Sequence, residues 1–148
     1  DHCRRMKSKG ALVFDIDDTL VDGRERLIPE VADVYKHFRS RFPTYILTAR
    51  PEAGRSHAER LLKRHGITYD KLFMLPGREE SDPGGYKWRM RRQIGRKHGR
   101  VLVACGDQAW DALPWPAPRS LDALVDNPHR GALVHNENEI GVLLPSSR

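Results

Sequence analysis

A chain of 148 residues, 39% hydrophobic and 31% charged, has the size of one domain and buries about 68–70% of its unfolded surface on folding. The apolar share excludes a disordered chain, and no run approaches the roughly 18–20 apolar residues that a helical membrane span requires. The net charge of +6 is concentrated, because Lys87 to Arg100 holds seven Lys or Arg and no acid, leaving the rest of the chain close to neutral.

The polar residues 1–9 read as a frayed start to the single domain 1–148. Ala11–Phe14 reads as a short buried strand. Leu27 to Arg41 reads as a helix, with Val31, Val34, Tyr35 and Phe38 at i, i+3, i+4 and i+7 and Pro29 near its start. Pro43 ends that segment and Tyr45–Leu47 forms the second strand. Pro51 opens a helix that closes at His65 and Gly66, where glycine suits a left-handed cap. Lys71–Leu75 is a third strand, residues 76–85 a polar loop, Tyr86–Lys97 a third helix and Arg100–Cys105 a fourth strand. Leu113–Pro118 holds three prolines around Trp115 and reads as a stiff loop. Ala123–Val125, Ala132–Val134 and Ile140–Leu144 are candidate short strands. Strand alternating with helix predicts an α/β fold, a Rossmann-like three-layer sandwich with a mostly parallel central sheet. In such sheets ligands sit beyond the carboxyl ends of the strands. Two cysteines, Cys3 and Cys105, make no disulfide framework. Cys105 reads as a small core residue, and a reducing, intracellular setting is favoured.

The polar residues with chemistry fall where that rule places them. The first strand runs into Asp15-Ile16-Asp17-Asp18-Thr19, the second into Thr48-Ala49-Arg50, and the fourth into Gly106-Asp107, with Asp111 four positions on; Lys87 lies in the first turn of the third helix. Asp15, Asp17 and Asp107 in one small space cannot all ionise without a counter-charge. A hard divalent cation with oxygen ligands answers that need, and Mg²⁺ shared between carboxylates and a substrate phosphate fits it. Thr48 offers a hydrogen bond to a phosphoryl oxygen, and Lys87 neutralises its charge.

At these residues, over roughly 10–112, the sequence resembles the haloacid dehalogenase-like phosphatases. Asp15, Asp17 and Thr19 match that family's Asp-x-Asp-x-Thr motif, Tyr45 to Thr48 its second motif, Lys87 its third, and Gly106, Asp107 and Asp111 its fourth. The resemblance implies that Asp15 is the nucleophile and a magnesium ligand. It implies that Asp17 protonates the leaving oxygen and then activates water, with its backbone carbonyl on the metal. Asp107 is then the third protein ligand and Asp111 an outer or alternative ligand. A receiver domain phosphorylated on aspartate, by contrast, carries its acceptor on a middle strand. The intervals of 33 positions from Asp15 to Thr48 and 39 from Thr48 to Lys87 leave no room for a cap domain of about 50 residues. The expectation is therefore a capless type with an open site.

Several residues have plainer readings. Asp18 and Thr19 serve the turn after the first strand, and Asp22 and Arg24 a turn beyond it. Arg50 has reach to substrate phosphate from its loop. Trp115 reads as a loop anchor before it reads as a stacking platform. His57, His65 and His98 read as surface residues, and the seven histidines show no zinc-ligand spacing. On the basic helix, Tyr86, Met90 and Ile94 share the core face, whereas Arg89, Arg92, Arg96 and Arg100 share an outward stripe. That stripe is either a solvated face or an electrostatic track for nucleic acid. The resulting expectation is a Mg²⁺-dependent phosphomonoester hydrolase acting through an aspartyl phosphate on a nucleotide or a phosphorylated nucleic-acid end. The alternatives are a small-metabolite acid phosphatase and a catalytically silent nucleic-acid-binding module.

Overall fold

The computed structural model describes residues 10–113, 115–117, 132–135 and 139–144. Its strands are β1 (Ala11–Phe14), β2 (Thr44–Pro51), β3 (Lys71–Leu75), β4 (Val101–Gly106), β5 (Ala132–His135) and β6 (Ile140–Leu143), in the sheet order β3-β2-β1-β4-β6-β5. β1, β2, β3, β4 and β6 pair in parallel, and β5 runs antiparallel along β6. Helices α1 (Pro29–Arg39), α2 (Arg55–Arg64) and α3 (Pro83–His98) connect the parallel strands, and a short α4 (Ala109–Ala112) follows β4. This is the Rossmann-like three-layer arrangement that the alternation of strand and helix predicts. The candidate strand Ala123–Val125, residues 1–9 and Cys3 lie outside the described residues.

The two-residue period of β1 explains the layers. All four of its residues are buried, as a strand covered on both faces requires. Leu12 and Phe14 join a core with Ile46, Tyr35, Leu61 and Leu62, under α1 and α2. Ala11 and Val13 point the other way, into a second core with Tyr45, Leu47, Tyr86 and Ile94 under α3. Cys105 is a buried free thiol, and burial pushes its pKa up to about 12, so it behaves as an apolar core group. Among the described residues no helix is long and apolar enough to cross a membrane.

Four elements depart from the sequence expectation; the helix expected to open at Pro51 starts at Arg55, after a 3₁₀ turn at Glu52–Gly54. Helix α1 is shorter than Leu27–Arg41, and its buried residues are Ala32 and Tyr35, whereas Val34 and Phe38 are 51% and 38% exposed. Tyr35 sets that orientation: its ring meets Phe14 edge-on at 5.0 Å and its hydroxyl donates to the Thr68 carbonyl at 2.5 Å. Strand β2 continues past Leu47 to Pro51, with a register shift against β3 between those residues, so Thr48 and Arg50 sit on an irregular strand end rather than on a loop. Helix α3 begins at Pro83 because Asp82 caps it, accepting from the Gly85 amide at 2.9 Å. The expected loop before it contains a 3₁₀ turn at Gly77–Glu79.

Tyr35→Ala is expected to cost about 3–5 kcal/mol, as for a large buried aromatic, and Phe38→Ala less than about 1 kcal/mol. Urea unfolding of the two variants checks this, and the reverse order would restore the orientation that apolar spacing alone predicts.

Candidate active site

The turn after β1 brings the first two aspartates out on one side. The Asp15 amide donates to the Cys105 carbonyl at 3.0 Å, prolonging the strand pairing by one residue. The Ile16 carbonyl then accepts from the amides of Thr19, Leu20 and Val21 at 3.3, 2.9 and 3.1 Å. Asp18 takes φ 52° there, a left-handed value that aspartate tolerates better than most side chains. Ile16 and Leu20 are fully buried, whereas Asp17 keeps 32% of its side chain exposed. Thr19 is buried and its hydroxyl reaches back to the Asp17 carbonyl at 3.4 Å, the turn-fixing role that its position implies.

Lys87, from the second turn of α3, closes the cluster. Its ammonium lies 3.1 Å from Asp15 Oδ1 and pairs with Asp111 Oδ1, and the side chains of all three are almost wholly buried. Asp111 Oδ2 accepts from the Gln108 amide at 3.0 Å. Asp111 fits beside the strand end only because residue 106 is glycine: a Cβ there would overlap the Asp111 side chain. Asp107 is fully buried. Carboxylate oxygens of Asp15, Asp107 and Asp111 all lie within 4.8 Å of one another. The Lys87 ammonium thus pairs with two of these three buried carboxylates. Burial, and then the Asp111 charge, push the Asp15 carboxyl up to about 8 against the opposing pull of Lys87. Burial works against the Lys87 ammonium, but Asp111 and Asp15 outweigh it and raise its pKa. A hard cation fits this donor set, since three carboxylates offer oxygen ligands within reach of one ion.

Asp17 stands apart from that trio. Arg50 grips it with two nearly parallel hydrogen bonds, Nη2 to Oδ1 at 2.7 Å and Nε to Oδ2 at 2.9 Å, the fork geometry that fixes a carboxylate's plane. The third guanidinium nitrogen reaches Glu25 at 3.1 Å, and Glu25 also meets His57 at 2.9 Å. The His57 hydrogen bond, followed by that of Arg50, holds the Glu25 carboxyl below its usual range. Thr48 is fully buried, and its hydroxyl accepts from the Arg50 amide at 3.0 Å. A cleft of about 390 Å³ is lined by Asp15, Asp17, Arg50, Lys87, Gln108 and Trp110.

The structure thus unites Asp15, Lys87, Asp107 and Asp111, with Asp17 and Arg50 beside them. Arg89, Arg92 and Arg96 are exposed on α3, outside the cleft lining, and Arg89 pairs with Glu79. Two of the histidines read as surface groups are partly buried and engaged. His65 meets the Glu25 carbonyl at 2.9 Å and His98 the Tyr45 hydroxyl at 2.5 Å. Sequence reasoning missed Glu25, Arg91 and Trp110. Trp110 lies between Asp107 and Asp111 in the chain, so its neighbourhood was legible although its place in the cleft was not. Arg91, one helical turn after Lys87, is 1% exposed and donates to the Trp110 carbonyl at 2.6 Å and to that of Leu113. Nothing in a basic run distinguishes such a buried arginine from its solvated neighbours.

No protein-family model and no curated protein sequence matches this chain. A solved structure, "Structure of the Pnkp1/Rnl/Hen1 RNA repair complex", contains a chain with a similar fold, at a TM-score of 0.60 and 24% identity. The match covers 70% of the present chain and 38% of that one.

Lys87→Met leaves buried carboxylates without their ammonium and is expected to cost about 3–5 kcal/mol in EDTA. Millimolar magnesium is expected to raise the melting temperature of the parent and recover part of the variant's loss. Melting curves of both proteins in EDTA and in magnesium check it; a variant as stable as the parent in EDTA would show that Lys87 does not balance these charges.

Proposed function

We propose that this chain is a divalent-cation-dependent phosphomonoester hydrolase of the haloacid dehalogenase-like type, acting on phosphorylated nucleic-acid ends. The observation that carries the reading is the gathering of the Asp15, Asp107 and Asp111 carboxylates within 4.8 Å of one another at the carboxyl edge of the sheet, with Lys87 paired to Asp15 and Asp111, beside an aspartate held in a guanidinium fork. A magnesium ion held by Asp15, Asp107 and Asp111, with the Asp17 main-chain carbonyl, would supply the positive charge that a transferring phosphoryl group requires.

The chain's own residues divide the remaining work. An Asp15 oxygen attacks phosphorus, and the phosphorus–oxygen ester bond breaks as the new bond to Asp15 forms. Asp17, once it has taken up a proton from solvent, gives it to the departing oxygen, then takes one from a water whose oxygen attacks the aspartyl phosphate. Orthophosphate leaves and the Asp15 carboxylate is restored. Arg50 orients Asp17 from the wall of the cleft, and Lys87 balances charge beside the nucleophile. Thr48, buried behind the cleft wall, accepts from the Arg50 amide and so steadies that arginine.

Two features favour a polyanionic substrate. The likeness in fold is to a chain of an RNA repair complex, and the Lys87–Arg100 segment concentrates seven cationic side chains, with Arg92 and Arg96 exposed.

Asp15→Asn is expected to lower turnover of a phosphorylated oligonucleotide by at least about 10³-fold, and EDTA to abolish activity that magnesium restores. Circular dichroism separates this from misfolding; activity within tenfold of the parent would remove the nucleophile assignment. The Arg89, Arg92 and Arg96 triple alanine variant is expected to bind oligonucleotide more weakly and to flatten the logarithmic salt slope, by about 0.7–0.9 for each phosphate that is no longer neutralised. Titrations at several salt concentrations check this, and equal slopes would make the stripe a solvated face.

A further inference from the structure

Building on the phosphohydrolase reading, we propose that Trp110 is the stacking surface for the base of the phosphorylated nucleotide, and so selects substrates whose phosphate is carried by a nucleoside. Trp110 lines the same cleft as Asp15, Asp17, Arg50 and Lys87, and it is half-buried there. The proposed phosphoryl transfer needs carboxylates and cations, and it has no use for an indole. The cleft otherwise presents mainly charged and polar groups. An aromatic surface among them serves an apolar, planar portion of the substrate rather than its phosphate.

The indole is also built to stay in place. Its ring stands perpendicular to that of Trp115, at 89° with centroids 5.9 Å apart, an edge-to-face arrangement that aromatic pairs prefer. Trp115 rests on the first turn of α3, where residue 84 is glycine and a Cβ would collide with the indole nitrogen. Lys87 follows three positions later on the same helix. The Trp110 main chain is pinned by Arg91, which donates to its carbonyl at 2.6 Å and to that of Leu113 and lies 3.4 Å from Glu139. Gly84, on which Trp115 rests, and Arg91, which holds the Trp110 main chain, both belong to the helix that carries Lys87, so stacking surface and phosphate site are referenced to one rigid element. Fixing an aromatic side chain before substrate arrives removes much of the ordering cost of binding.

A cleft of about 390 Å³ is at the small end of ligand sites and suits one terminal nucleotide rather than a length of strand. Stacking on an indole face accepts any base, because every base has a π-face. The source of that base is either a nucleic-acid end or a free mononucleotide, and the experiment separates them.

The parent, Trp110→Ala and Trp110→Phe are compared on four substrates with magnesium: an oligonucleotide phosphorylated at its terminal nucleotide, the same oligonucleotide with that nucleotide abasic, a nucleoside monophosphate, and glycerol phosphate. Binding of the two oligonucleotides is measured in parallel by fluorescence anisotropy in EDTA, where magnesium-dependent turnover is absent. The parent is expected to favour the base-bearing end over the abasic end by about tenfold or more. Trp110→Ala is expected to erase that preference, Trp110→Phe to keep most of it, and glycerol phosphate hydrolysis to change by less than about twofold in either variant. Base preference on the mononucleotide as well assigns free nucleotides as substrates, and preference confined to the oligonucleotide assigns chain ends; both support stacking. An undiminished base preference in Trp110→Ala, or an equal loss on glycerol phosphate, would overturn the proposal, the latter by making Trp110 a packing residue. Base preference in the binding assay without hydrolysis of any substrate would sink the phosphatase reading alone. Hydrolysis with no base preference would sink the stacking role alone.

Discussion

A buried ammonium shared by two buried carboxylates, with a third carboxylate close by, is the constraint on which the rest of this structure turns. Burying charge without compensation is costly, and removing one member of such a group exposes that cost. The participants therefore come from the most firmly fixed parts of the chain. Asp15 extends the central strand β1, Lys87 projects from α3, and Asp107 and Asp111 follow β4, the immediate neighbour of β1. Gly106 is part of the same arrangement, since any side chain there would occupy the space of Asp111. Three carboxylates within 4.8 Å of one another form a donor set that could hold a hard cation.

A second chain of charges ties the periphery to this centre. Arg50 joins Asp17 to Glu25, and Glu25 joins Arg50 to His57. Glu25 holds φ 61° in doing so, a conformation uncommon for a residue other than glycine. The turn that carries it is closed by Asp22, whose carboxylate accepts from the amides of Arg24 and Arg26 at 2.8 and 2.9 Å. The segment after β1 is thereby fastened to the end of β2 and to α2. In the proposed hydrolase this fixes the orientation of the acid–base aspartate without burying it.

The tryptophans show how far a linear motif reaches. Trp115, flanked by Pro114 and Pro116, stands out in the sequence, and its reading as an anchor agrees with its seat on Gly84. Trp110 is hidden inside the fourth motif and draws no notice, yet it is the indole that lines the cleft. Arg91 is similar: inside a run of cations its burial is decided by the carbonyls of Trp110 and Leu113, which approach it from a different element. Val34 and Phe38 make the opposite point. Their spacing suits a buried face, but the contacts of Tyr35 with Phe14 and Thr68 rotate that face outward.

The sequence by itself determined the alternation of strand and helix, the parallel sheet, the placing of Asp15, Thr48, Asp107 and Asp111 near strand ends, and that of Lys87 early in the third helix. These depend on local periodicity and on offsets of a few residues from an apolar run, which the chain carries wherever it folds. Only the tertiary structure decided which of these groups touch: that Lys87 shares Asp15 with Asp111, that Asp17 turns to Arg50 and Glu25, and that Trp110 faces the cleft. Partners 24 to 72 positions apart, such as Lys87 with Asp111 and Asp15, meet through the order of strands in the sheet. That order is set by how whole faces pack and bury apolar area, a quantity no short window of residues contains.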